Sequence, residues 1–251
     1  MPDQKIVLVT GASQGIGAAT AGAFARAGHK VVLAARNGAK LEATIAALGA
    51  AGQDCMAVPT DVADPASVEA LFAAIAERHR RLDVVFNNAG ANQPYQLVGD
   101  VTWETWRQVL SVNLDGAFLV ARAAFRHMRD QSPQGGRIIN NGSISAYAPR
   151  PGLVAYTASK HAITGLTRQV SLDGRAFDIA CGQIDIGNAR TPLAARMADG
   201  VPQADGHLAA EPRIDVDHVA RAVLQMAELP LDVNVQFMTI MATTMPFIGR
   251  G

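Results

Sequence analysis

The sequence predicts an α/β domain built on a doubly wound parallel sheet. Three observations carry that prediction. Short apolar runs alternate strictly with Ala-rich segments of helical period, which is the pattern of βαβ units with right-handed crossovers. The apolar runs are hydrophobic throughout rather than alternating, as strands buried on both faces require. A glycine-rich turn, "TGASQGIG" (10–17), joins the first strand to the first helix. The chain has 251 residues, 49% of them hydrophobic. One domain of that size around one sheet holds a substantial core.

The elements follow in order. "KIVLVT" (5–10) is a strand and 15–28 a helix; "KVVLAA" (30–35) is the second strand and 38–51 its helix. "CMAVPT" (55–60) is the third strand, followed by a helix over 65–80. "LDVVFNN" (82–88) is the fourth, and a long helical stretch covers 102–130. "GRIINNGS" (136–143) is the fifth strand, 154–174 a helix, and "DIACGQI" (178–184) the sixth strand. Helix 216–229 and a last strand, "NVQFMTIM" (234–241), close the chain. The irregular segment 187–215 holds Pro192, Pro202, Pro212, Gly200 and Gly206. Such an insertion in a compact domain reads as a lid or substrate loop, here 188–213.

Composition excludes several classes. There are 22 basic and 22 acidic residues and no basic run, so no nucleic-acid footprint is expected. The N-terminus enters a strand at once and no apolar run reaches membrane-spanning length, so neither a leader nor a membrane span is expected. Cys55 and Cys181 match no metal spacing; they read as buried thiols in a reducing compartment, and no metal is expected. The expectation is a soluble cytoplasmic protein.

The glycine turn carries the first chemistry. In open α/β sheets ligands bind beyond the carboxyl ends of the strands. A helix N-terminus there offers unpaired N–H groups and partial positive charge, which suits a pyrophosphate. Gly11, Gly15 and Gly17 let the backbone turn tightly and approach a ligand, and Ser13, Gln14 and Ile16 lie in the same turn. The second chemistry is "YTASK" (156–160). Tyr156 and Lys160 stand four residues apart on one helix face. A free phenol is too weak an acid to exchange protons efficiently at neutral pH. An ammonium about 5 Å away, at an effective dielectric near 20, favours phenolate by roughly 3 kcal/mol. A phenol so placed can take a proton from an alcohol or return it to a carbonyl.

With these motifs in hand, the chain resembles the short-chain dehydrogenases/reductases, a family of Rossmann-like oxidoreductases. The spacing T-G-x-x-x-G-x-G matches, and further signals follow in the family's order over roughly 4–191: "TDV" (60–62), "NNAG" (87–90), Asn113 in "SVNLDGAF", Ser143 thirteen residues before Tyr156, and the Y-x-x-x-K pair. The resemblance implies a catalytic set of Asn113, Ser143, Tyr156 and Lys160. Tyr156 would be the general acid/base. Lys160 would bond the nicotinamide ribose, Ser143 would hold the substrate oxygen, and Asn113 would anchor a water linking Lys160 to solvent. Asp61 would meet the adenine amino group, with Val62, Asn88, Ala89 and Gly90 beside the cofactor. Ser145 is the rival serine. Tyr95 and Tyr147 read as pocket walls or surface, and His161 as structural.

After the sixth strand the family has P-G-x-x-x-T; this chain has "IGNART" (186–191), keeping Gly187 and Thr191 but replacing proline by Ile186. Asp185 before it reads as a turn cap, with a place in the site as the alternative. Met238, Met241, Met245 and Phe247 form an adaptable apolar surface, either a subunit contact or a pocket wall. At the end of the second strand, where NAD-specific sites carry an acid, stands Ala35, followed by Arg36, Asn37 and Lys40. A guanidinium grips a 2′-phosphate well, so NADP(H) is the expected cofactor, with NAD(H) the alternative. Gln14 stands where many NADP-binding members carry a basic residue.

The expected activity is hydride transfer between NADP(H) and a small-molecule ketone or alcohol, mostly uncharged and of medium size. The alternatives are an NAD(H)-dependent alcohol dehydrogenase and a non-catalytic dinucleotide sensor. The helices within 102–125 and 155–172 carry more apolar and small residues than one buried face requires. In the resembled family these two helices pair across a two-fold axis, so a homo-oligomer is expected, tetramer before dimer.

Overall fold

The computed structural model describes residues 4–192 and 200–248. Seven parallel strands form one sheet in the order β3-β2-β1-β4-β5-β6-β9. They are β1 (Ile6–Thr10), β2 (Lys30–Ala35), β3 (Cys55–Pro59), β4 (Val84–Asn87), β5 (Gly136–Asn141), β6 (Ile179–Ile186) and β9 (Phe237–Ile240). The chain winds outward from β1 to β3, returns to β4 beside β1, and continues to β9. The strand order therefore reverses between β1 and β4, and a crevice opens at their carboxyl ends.

Helices cover both faces. The first are α1 (Gly15–Arg26), α2 (Gly38–Ala46) and α3 (Pro65–His79). They are followed by α4 (Trp103–Leu110), α5 (Ala117–Asp130), α6 (Val154–Gly174) and α7 (Val216–Glu228). Alternate strand residues feed two separate cores. Val7, Val9, Val31, Leu33 and Phe86 pack against Phe24, Val219, Val223 and Met226. Leu8, Val32, Val85 and Ile138 pack against Leu71, Ile75, Val120 and Met128 on the other face. This period-2 division explains why the strands read as continuously apolar.

Local chemistry sets the helix boundaries. Asn37 caps α2 by accepting from Lys40 N at 3.0 Å. Asp64 caps α3 through Ala66 N at 3.0 Å, with Pro65 in the first turn. Two expected helices are shorter than the periodicity implies: α2 stops at Ala46, before a 3₁₀ turn over Gly49–Gly52, and α1 stops at Arg26. The stretch 102–130 is not one continuous α-helix. A π-helical segment, Ser111–Gly116, separates α4 from α5. The segment expected to be irregular carries a two-stranded antiparallel ribbon, β7 (Val201–Pro202) and β8 (Leu208–Ala209). The middle of the expected substrate loop, 193–199, lies outside the described residues. Among the described residues no helix is long and apolar enough to cross a membrane.

Candidate active site

A cleft of about 970 Å³ opens at the carboxyl ends of the strands, over the crevice between β1 and β4. One end is lined by the glycine turn, Arg36, Asp61 and Val62, and the other by Asn141, Ser143, Ser145, Tyr156 and Lys160. Asn88, Ala89, Gly90, Gly187 and Thr191 lie along it as well. The fold thus brings the expected site residues to one cavity; Asn113 stands just behind its wall.

The glycine turn is shaped for an anion. Gly11 and Gly15 have φ of 68° and 56°, which L-residues with a side chain seldom adopt. Gly17 has another reason: a Cβ there would overlap Gly11 O and lie 2.7 Å from Gly11 C. Gln14, at the N-cap of α1, makes no side-chain capping bond, and the first turn of α1 holds no acid. The N–H groups of that turn are therefore left for a ligand. Asn88 braces the turn. Its Nδ2 donates to Thr10 O at 2.8 Å, and its Oδ1 accepts from Asn141 Nδ2 at 2.9 Å. Asp61 is held in a tight turn by accepting from Ala63 N at 3.0 Å. These residues fit a dinucleotide: a glycine cradle under an uncapped helix start, in a cavity long enough to reach the Tyr156 end.

The other end is built on α6. Its N-cap, Leu153, has no side-chain acceptor. Gln93 supplies one from 62 residues away: its Oε1 accepts from Ala155 N at 2.8 Å and Tyr156 N at 3.1 Å. Gln93 lies in the loop that follows β4. The capping by Gln93 carried no local signal, because its partners lie on another element.

Lys160, 6% exposed, donates from Nζ to Asn141 O at 2.8 Å, and the ammonium sits 5.6 Å from the centroid of the Tyr156 ring. The i, i+4 spacing thus sets the ammonium beside the face of the Tyr156 ring. Ser143 Oγ accepts from Ser145 N at 3.1 Å, which leaves the Ser143 hydroxyl proton to donate to a substrate oxygen. Ser145 is buried too, but it serves Ser143 through its backbone.

Asn113 sits in the π-helical segment and is 2% exposed. Its Oδ1 accepts from Ala91 N at 2.7 Å and its Nδ2 donates to Ala91 O at 2.9 Å. The side chain clamps the loop after β4, so the π segment sets the height of that loop beside the cleft.

Other expectations are corrected by packing. Asp185 neither caps a turn nor lines the cleft; it is a buried strand residue that accepts from Ser143 N at 2.9 Å. Gly187 is demanded by the C-terminal segment: a Cβ there would lie 2.6 Å from Met241 Cβ and 2.8 Å from Met245 Sδ. Met245, 5% exposed, also accepts from Asn188 N at 3.4 Å. It is thus a buttress under the loop rather than exposed apolar surface. His161 bonds Thr157 O within its own helix. Toward the Tyr156 end Arg150 pairs with Glu211 at 2.7 Å, both side chains nearly buried. Asn188 Nδ2 donates to the same carboxylate at 2.7 Å. The pair ties the turn before α6 to the end of the insertion, a connection that spacing alone does not reveal.

The fold and cleft define a dinucleotide-binding oxidoreductase of the doubly wound class. The profile of the short chain dehydrogenase family matches residues 5–201, and the chain belongs to that family. It is 35% identical over 222 residues to a 3beta-hydroxysteroid dehydrogenase of Mediterraneibacter gnavus, covering 88% of this chain and 79% of that protein. Among solved structures it is similar to the 3-ketoacyl-(acyl-carrier-protein) reductase of Brucella melitensis complexed with NADH. The TM-score is 0.83 at 26% identity, over 96% of this chain and 98% of the other. It is also similar to an actinorhodin polyketide ketoreductase with NADPH, with a TM-score of 0.85 at 26% identity over 96% and 97% of the two chains. The fold therefore suits either nicotinamide dinucleotide.

Proposed function

We propose that the protein is an NADP(H)-dependent oxidoreductase that interconverts an alcohol and a ketone of medium size, with Tyr156 as general acid/base. The observation that carries this reading is the shared cleft, with a glycine cradle and Arg36 at one end and Ser143, Tyr156 and Lys160 at the other. A bound nicotinamide dinucleotide supplies the hydride acceptor or donor. The protein's own residues handle the proton. Ser143 Oγ donates to the substrate oxygen, and Tyr156 takes the alcohol proton in oxidation or returns one in reduction. Lys160 stabilises the phenolate and would bond the nicotinamide ribose. Asn113 acts by positioning the loop at Ala91. At the cofactor end Gly11, Ser13, Gln14, Gly15, Ile16 and Gly17 would hold the pyrophosphate. Asp61 and Val62 would hold the adenine end, and Gly187 and Thr191 the nicotinamide end.

Arg150 is neutralised by Glu211, so the substrate end presents no unpaired charge from this pair. Together with Ile144 and Leu153 in its lining, that favours an uncharged, largely apolar ketone, in keeping with the steroid and ketoacyl names of the relatives. The segment 188–213 is the proposed substrate loop. A cytoplasmic location is consistent with two free cysteines. Exposed apolar residues on α4, α5 and α6 support a homo-oligomer.

Tyr156→Phe tests the assignment. Turnover of a ketone and alcohol panel should fall by about 10² or more, while NADPH binding is retained. Near-normal turnover would refute the role of Tyr156.

A further inference from the structure

Asp185 is a fully buried acid one position before the end of β6, close to the cleft but not lining it. Its Oδ1 accepts from Ser143 N at 2.9 Å and from Gln183 Nε2 at 2.7 Å. Its Oδ2 accepts from Tyr147 Oη at 2.9 Å. Three donors suit an ionised carboxylate, which accepts at both oxygens and donates at neither. The backbone is shaped around it. A Cβ at Gly142 would overlap Asp185 Oδ1 and lie 2.7 Å from Gln183 Nε2. Gly142 is thus the partner that lets the carboxylate reach Ser143, and the two positions form a matched pair.

The same turn carries the lysine's acceptor. Lys160 Nζ bonds Asn141 O, two residues before Ser143, and the ammonium charge acts on the Asp185 carboxyl. The other groups facing Asp185 are few. Tyr147 approaches from the 3₁₀ turn after β5, and α6 presents Lys160 and, acting on Tyr147, Arg168. The neighbour across the strand pair on β9 is Thr239, which does not titrate.

We propose that Asp185 is a positioning residue: its carboxylate holds the backbone at Ser143 and so fixes where the Ser143 hydroxyl stands in the cleft. The proposal rests on the role given to Ser143 above. Burial pushes the Asp185 carboxyl above the ordinary carboxylate range, against the hydrogen bonds from Gln183, Tyr147 and Ser143 and the charge of Lys160. The Tyr147 ring is half exposed but its hydroxyl is turned to Asp185. Partial burial and then that bond push the phenol up to about 12, so it remains a donor.

Asp185→Asn keeps an acceptor for Ser143 N, whereas Asp185→Ala leaves that N–H without one. Tyr147→Phe changes a half-exposed side chain and removes one donor that orients the carboxylate. Amide exchange at Ser143 is expected to speed severalfold in Asp185→Ala and in Tyr147→Phe and to stay near the wild-type rate in Asp185→Asn. Turnover of the ketone and alcohol panel is expected to fall with faster exchange while NADPH binding is kept. Unchanged exchange in both Asp185→Ala and Tyr147→Phe, or faster exchange with unmoved turnover, overturns the positioning role. These outcomes are separable from failure of the functional reading, which shows instead as turnover surviving Tyr156→Phe.

Discussion

Arg36 offers the sharpest test of cofactor choice. It follows the last residue of β2, is exposed, and lines the cleft with Ala35, Gly38 and Lys40. Asn37 caps α2 through its Oδ1, and in the proposed reading the Arg36 guanidinium is the principal grip on a 2′-phosphate. A hydrogen bond to a charged group contributes about 1.5–3 kcal/mol. Exposure screens it, which lowers the expectation to about 1–2 kcal/mol, or roughly 5- to 30-fold in affinity. The assay is fluorescence titration of NADPH and NADH, which requires no knowledge of the substrate. Arg36→Ala should weaken NADPH by that factor and change NADH by less than about twofold. Ala35→Asp should repel the phosphate and strengthen NADH, because a carboxylate there accepts from the ribose hydroxyl. If the wild type already prefers NADH and Arg36→Ala alters neither titration, the NADP reading fails.

Two further outcomes follow from packing. Gly17→Ala places a methyl 2.8 Å from Asn88 Nδ2 and against the backbone of Gly11, which cannot yield as a side-chain end would. NADPH affinity should drop by about tenfold or more with a lower melting temperature, and unchanged binding would show that the turn tolerates a Cβ. Trp103 on α4, Phe118 on α5 and Leu172 on α6 are 68%, 49% and 54% exposed. Light scattering should give a homo-oligomer whose mass falls in Phe118→Glu, and a monomer mass for the wild type at micromolar concentration would contradict association through these helices.

Much of the molecule is legible in the sequence because the deciding interactions are local. The apolar runs of β1, β2 and β4 declare burial on both faces within four to six residues each. The glycine turn is encoded by glycines at 11, 15 and 17, and two of them require a positive φ. Tyr156 and Lys160 meet because one helical turn separates them, and the 5.6 Å from ammonium to ring centroid follows from that spacing. Fold class, the glycine turn and the approach of Lys160 to Tyr156 were therefore readable from local spacing alone.

Tertiary structure decided what surrounds that pair. Gln93 caps α6 across 62 residues, Asp185 grips Ser143 across 42, and Lys160 finds Asn141 O on a neighbouring strand. None of these partners shares a turn or a periodicity with the residue it serves. Their meeting depends on the registers of β5 and β6, Asn141 beside Ile184, and on where the loop after β4 comes to rest against the π-helical segment. Periodicity shows which way a residue faces on its own element. Which backbone group stands opposite is settled only when the strands align, and so Asp185 read as a turn cap until the sheet placed it under the serine.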